Sequence, residues 1–302
     1  MTTYRRLTRD LCGDHWLDAN TEAYLPETVR YGECEVCDEF ALVYRSARLE
    51  PPRGLQRKKD EAVRIIRACA TWEYLDPLSK YPGGPPPPAW DVPPEVVRLA
   101  QDRTVAEEAR FTNAESGQAP LYYAAAGAWY RLGEALGLRG GRGVYWIRLL
   151  DAPLAGLLVW VAYLVAREVF AGGAAAIGVA LLAAFVPQDA FYSIGNDSPS
   201  PAIAGLALLA LLGIAKGPPK GAGFHALAGL AVAASVLTKL TNAPIVAVAA
   251  VAATMALARA RRDGESRQAA RRIGVLAATA VLPTGMWAVR NVVFFGDLTG
   301  MA

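Results

Sequence analysis

The chain has 302 residues, is 53% hydrophobic and carries a formal net charge of +3, which is too apolar for an ordinary water-soluble domain. The charge is unevenly divided: up to Gln118 there are 16 Lys/Arg against 20 Asp/Glu and no long apolar run, whereas from Ala119 onward there are 15 against 8 in a background of Ala, Leu, Val and Gly. A nucleic-acid partner is not expected, because the basic residues cluster where membrane topology explains them.

The start, MTTYRRLTRDLCGDHW, has arginines with no apolar stretch behind them, so no signal peptide is read. Residues 1–80 read as a small polar, loop-rich module containing Cys12, Cys34, Cys37 and Cys69. Cys12 and His15 form a C-x2-H pair and Cys34 and Cys37 a C-x2-C pair, a spacing that suits a tetrahedral structural zinc held by these four side chains. Buried or incidental cysteines, or disulfides, are the alternatives. Val63, Ile66, Ala70 and Tyr74 predict a helix over 58–74.

Residues 81–118 form a linker and juxtamembrane segment, in which the stiff run YPGGPPPPAWDVPP precedes a helical pattern over 95–110. Residues 119–302 then form a multispanning transmembrane domain. Its first helix, 121–136, carries Tyr122, Tyr123, Trp129 and Tyr130 beside Arg131 and Glu134, and aromatics at this density favour a helix lying at the membrane surface. Six spans follow, over 149–170, 172–187, 199–215, 222–240, 243–258 and 273–294. A hydrocarbon core of about 30 Å needs ~20 helical residues, so the second and fifth are marginal. The predicted fold class is an all-α polytopic membrane protein with a polar N-terminal segment.

Alternating these spans sorts the ionisable residues. One face receives Arg167, Lys216, Lys220 and six arginines between Arg259 and Arg272, with Glu168, Asp263 and Glu265. This is the excess that marks cytoplasmic loops, and on that ground the face is set aside as a functional site. The other face receives only Arg148, Lys239 and Arg290 as cations, with Asp151, Asp189, Asp197 and Asp297.

Four strings fall on or beside that sparse face: ESGQAPLYY (115–123), FYSIGNDSPS (191–200), LTKLTNAP (237–244) and WAVRNVVFFGDLTG (287–300). Together they resemble the multispanning C-type glycosyltransferases that take sugars from polyprenyl-phosphate carriers, such as protein mannosyltransferases and lipid A aminoarabinose transferases. The resemblance covers roughly 111–300 and is that of a partial member. Relatives begin with a spanning helix and an acid-bearing outer loop, for which the Asp38-Glu39 pair is a weak match, and they continue for several more spans. Gln118 and Ala119 also stand where many relatives carry Lys or His followed by proline.

The resemblance implies a multi-pass protein of the bacterial inner membrane with a GT-C-like fold. It would transfer a sugar from a lipid-linked donor to a glycan, lipid or protein acceptor at the outer face. Lys239 and Arg290, with Arg148, are the candidates to hold the carrier phosphate, and Gln118, Asn196 and Tyr122 are further substrate-binding candidates. Asp197, Asp189 and Glu115 are the candidates to activate the acceptor or hold a divalent metal. Other readings stand beside each: Lys239 and Arg290 snorkel to the interface, Asp197 or Ser198 caps the third span, and Glu115 and Gln118 are solvated loop residues. His225 reads as structural and Asp297 as a turn residue. Two other functions remain open: a polytopic transporter or polysaccharide-assembly protein without catalysis, or a membrane scaffold displaying a zinc module.

Overall fold

A computed structural model describes residues 35–49, 117–138, 141–170, 172–185, 194–218 and 220–299, and every regular element among them is helical. The predicted helices at 58–74 and 95–110, the Pro-rich run, and the ligand candidates Cys12, His15 and Cys34 lie outside the described residues. The chain divides into two compact units, Met1–Ser116 with Ala124–Leu149, and Gly117–Tyr123 with Leu150–Ala302.

The first unit contains α1 (Glu35–Ala47), most of α2 (Pro120–Ala135) and α3 (Gly141–Arg148). Helix α1 stands where the sequence suggested loops, and it takes in Cys37. Its buried residues Phe40, Val43, Tyr44 and Ala47 recur at helical spacing and give it one apolar face. The Phe40 ring meets Tyr130 edge-on at 5.8 Å, and Ala47 approaches α2 where Gly127 leaves room: a Cβ there would lie 2.6 Å from the Ala47 nitrogen. Arg48 bonds Glu134 at 2.9 Å while lying 3.5 Å above the Tyr44 ring.

Helices α2 and α3 are clasped by two tryptophans. The indoles of Trp129 and Trp146 stack at 4.3 Å, and each donates its N–H to the other's backbone carbonyl, at 2.6 and 2.7 Å. The aromatic density that suggested an interfacial helix thus serves internal packing, with Tyr122, Tyr123 and Tyr130 all buried.

The second unit is a bundle of α4 (Asp151–Val169), α5 (Gly173–Ala184), α6 (Ser200–Lys216), α7 (Ala222–Thr238), α8 (Ile245–Arg262) and α9 (Ser266–Phe295). Its core is Ala207, Leu211, Ile214, Ala228, Val232, Val236, Ala249, Ala252 and Leu276, small and medium residues from α6 to α9. Larger apolar side chains face outward, among them Phe185 (82% exposed), Leu182 (74%) and Met286 (74%). In water so much exposed apolar surface would be a liability. In lipid it costs nothing, and small residues at the contacts let helices approach closely. Gly205 accommodates Val161 between α6 and α4, and Gly229 accommodates Leu276 and Thr279 between α7 and α9. The Thr279 hydroxyl donates across that contact to the Ala226 carbonyl at 3.2 Å.

The helices coincide closely with the six predicted runs, but among the described residues three helical stretches are both long and apolar enough to cross a membrane: Arg142–Val169, Leu240–Arg262 and Ser266–Phe295. Helices α5, α6 and α7, at 12, 17 and 17 residues, are shorter. Seventeen residues rise about 26 Å. Helix α9 begins seven residues before the predicted start at 273, because SRQAARR continues the helix after Gly264 makes the turn at φ +76°.

Candidate functional site

The start of α6, the α7–α8 connection and the end of α9 lie at one end of the second unit. Helix α6 starts immediately after the Asn196-Asp197-Ser198-Pro199 turn. Its N-cap position is held by Pro199, with no side-chain hydrogen bond to the first turn, so the expected capping by Asp197 or Ser198 does not occur. Proline cannot offer a side-chain acceptor, and the carboxylate of Asp197 turns elsewhere.

It turns to Lys239. Helix α7 closes at Thr238, where the hydroxyl donates back to the Ala234 carbonyl at 2.7 Å. Lys239 is then extended (φ −152°, ψ 128°), and its ammonium is ion-paired with Asp197 Oδ1. The Asp197 side chain is 54% exposed and that of Lys239 25%, so the pair sits at a surface with the cation the better sheltered partner.

Polar neighbours fix both sides. Asn196, 2% exposed, donates its amide to Gln118 Oε1 at 3.0 Å. Asn242, in the 3-10 turn Leu240–Asn242, donates to Ser200 Oγ at 2.9 Å and to the Ser235 carbonyl at 3.0 Å. It thereby ties the start of α6 to the end of α7. The Ser198 hydroxyl is buried with no hydrogen-bond partner among the described residues. An orphaned buried donor of this kind is costly and suits an acceptor brought in from outside.

Arg290 occupies the same end. Gly229 marks the α7–α9 contact; Lys239 lies ten residues beyond it (239 − 229) and Arg290 eleven beyond Thr279 (290 − 279). At about 1.5 Å per residue these rises are about 15 and 17 Å. The short α7–α8 and α8–α9 turns make α7 and α9 run in the same direction. The Arg290 guanidinium donates to Asn291 Oδ1 at 2.8 Å, and the fully buried Asn291 donates in turn to the Leu298 carbonyl at 3.2 Å. Among the described residues no carboxylate lies within the 4.0 Å of an ion pair with Arg290. Asp297 accepts from the Thr299 backbone N–H at 2.8 Å, as its reading as a turn residue anticipated.

A groove of about 680 Å³ runs down from this end. Thr241 and Asn242 edge it near Lys239, Val161, Leu208 and Val248 line its length, and Val169 and Phe170 line its far end. Among the described residues no ionisable side chain lines it.

The structure therefore brings together Gln118, Asn196, Asp197 and Lys239, and places Arg290 at the same end. Tyr122 is buried, its ring edge-on to Tyr123 at 5.3 Å. Arg148 ends α3 in the other unit. Glu115 and Asp189 lie outside the described residues. Ser200 and Asn242 were not singled out, although both stand inside strings that were. No group of three or more His, Cys, Asp or Glu side chains gathers among the described residues. Asp197 is the single carboxylate in the described cluster and already faces an ammonium, which does not fit a divalent-metal site. Compared with known proteins, the chain matches no family model, no curated protein and no solved structure.

Proposed function

We propose that the chain is a multi-pass inner-membrane glycosyltransferase, or part of one, that takes a sugar from a polyprenyl-phosphate carrier. The observation that supports this best is the Lys239–Asp197 pair beside the end of an apolar groove. A carrier of this class has the same construction: a long hydrocarbon tail ending in a phosphate at headgroup depth. The tail lies in the groove, and the phosphate draws the Lys239 ammonium from Asp197, with Arg290 and the Ser198 hydroxyl as further donors. Cations in a partly dry site act strongly on charge that develops as the phosphate leaves.

Losing its cation, Asp197 becomes a free carboxylate. It removes the proton of an acceptor hydroxyl as that oxygen attacks the anomeric carbon, and the bond from that carbon to the phosphate oxygen breaks with its electron pair on the phosphate. No step is routed through a metal. A transport pathway for a charged solute would require ionisable groups along its walls, and among the described residues none lines the groove. The shorter helices α5, α6 and α7 belong to the proposed set of six spans.

The test is discharge of a radiolabelled polyprenyl-phosphate sugar by membranes holding the full chain, without and with a crude envelope acceptor fraction. Lys239→Ala and Asp197→Asn are each expected to lower label transfer at least tenfold with insertion unchanged. Transfer at the unmodified rate in both variants overturns the assignment.

A further inference from the structure

The opposite end of the second unit holds a concavity that charge counting alone passes over. An excess of Lys and Arg on one face is explained by insertion, but insertion requires only their number and not their convergence. Here Lys216 from the last turn of α6, Lys220 from the α6–α7 connection, Arg259 from the last turn of α8 and Arg272 from the start of α9 all line one cavity of about 330 Å³. That volume is in the range of small-ligand pockets, about 300–1,000 Å³.

Arg259 is built into the wall: it donates to the Gly217 carbonyl at 2.7 Å and to the Ile214 carbonyl, which closes the end of α6. Lys216 reaches the Glu168 carbonyl at 3.2 Å. His225, 5% exposed, is anchored through Nδ1 to the Gly221 carbonyl at 3.0 Å. Among the described residues Lys220 and Arg272 have no such anchoring. Lys220 lies 5.7 Å from the Phe224 ring, and among the described residues neither cation is within 4.0 Å of a carboxylate.

Asp263 and Glu265 also line the cavity, so four cations less two carboxylates leave two positive charges. Helix α7 adds to them, since it opens here with no acidic residue in its first turn and no side-chain cap. The remaining wall is apolar, from Ile214, Ala256, Ala269 and Ile273.

We infer that this cavity binds a phosphate ester, with Lys220 and Arg272 as its direct ligands and Arg259 as a fixed wall. The ester is either the headgroup of an anionic phospholipid or a soluble phosphate compound. The site is remote from the Lys239–Asp197 end and does not depend on the transferase reading. Basic pockets between membrane helices select anionic headgroups by the same chemistry, at about 1 kcal/mol, or roughly fivefold, for each cation.

The experiment uses the full chain, purified in a neutral detergent and titrated with phosphatidylglycerol, phosphatidylcholine or inorganic phosphate, with retained ligand read by native mass spectrometry and melting temperature read in parallel. Phosphatidylglycerol is expected to be retained and to raise the melting temperature while phosphatidylcholine is not, and Lys220→Gln and Arg272→Gln should each weaken retention about fivefold. Lys220→Arg and Arg272→Lys, which keep the charge, should restore it and so separate loss of the site from loss of the fold. Inorganic phosphate that competes with the lipid on the unmodified chain identifies the phosphate as the group recognised. Phosphate that binds in the same variant-sensitive way without any preference for phosphatidylglycerol assigns the site to a soluble ester. Equal retention of both lipids together with no phosphate effect overturns the inference, as does full retention by the two Gln variants.

Discussion

Gly229→Ala is expected to open the contact between α7 and α9. A Cβ at this position would meet the Leu276 carbonyl oxygen and the Thr279 hydroxyl inside contact distance, and would lie 3.1 Å from the Leu276 carbonyl carbon. The hydroxyl can rotate away, losing its 3.2 Å bond to the Ala226 carbonyl, but the backbone carbonyl cannot. The helices must therefore move apart. Overpacking of this kind costs about 1–3 kcal/mol, and an interhelical hydrogen bond in a membrane protein about 0.6 kcal/mol, giving a loss of about 2–4 kcal/mol. Gly274→Ala on α9 is the control: a Cβ there meets nothing within 4 Å, and exchanging helical glycine for alanine should gain up to about 1 kcal/mol. Adding Thr279→Ala to Gly229→Ala removes one of the two obstacles, so the double variant should recover only part of the loss. Thermal unfolding followed by circular dichroism in micelles gives the order: Gly274→Ala at or above the unmodified chain, the double variant below it, Gly229→Ala lowest. Gly229→Ala melting with the unmodified chain, or Gly274→Ala falling with it, refutes the reasoning.

Two further expectations concern particular pairs. Exchanging the charges, Asp197→Lys with Lys239→Asp, keeps an ion pair of a kind worth at most about 1 kcal/mol at a surface, so melting should be unchanged while sugar transfer is lost; transfer by the exchanged protein would show that the pair is only a brace. Trp129→Phe keeps a stacked ring but removes the indole donor 2.6 Å from the Trp146 carbonyl, and should cost about 1 kcal/mol in chemical unfolding of the first unit, a value that an unshifted midpoint would contradict.

Much of the helical framework is legible because apolar runs end at residues that stop helices. Pro199 precedes α6, Gly221 precedes α7 and Pro244 precedes α8, each within a residue or two of the predicted limits. The start of α9 is less legible, since Arg267, Arg271 and Arg272 look like loop to a hydropathy scale while arginine, alanine and glutamine are good helix formers. Helix α1 carried its signal in Phe40, Val43, Tyr44 and Ala47, but the Cys spacing directed the reading toward a loop-rich zinc site. At the candidate site the residue types pointed to Asp197 and Lys239 individually. Their pairing bridges 42 positions, and no local pattern encodes it. Asn242 was hidden for the same reason, because its partners Ser200 and Ser235 belong to two different helices. The cavity lined by Lys220 and Arg272 was hidden by its own sequence signal, since a basic loop has a sufficient explanation in topology.

In the proposed six-span arrangement, the 17-residue length of α6 and α7 bears on the surrounding bilayer. A hydrocarbon core of about 30 Å exceeds their rise of about 26 Å, and the mismatch is relieved most simply by local thinning, at fractions of a kcal/mol per ångström. Lipids along this side would be drawn inward, so that the headgroup plane dips toward the turns that follow Thr238 and precede Ser200. A long-chain lipid arriving there would meet Lys239 without having to be lifted out of its leaflet, and chains in thicker membranes should meet it less readily.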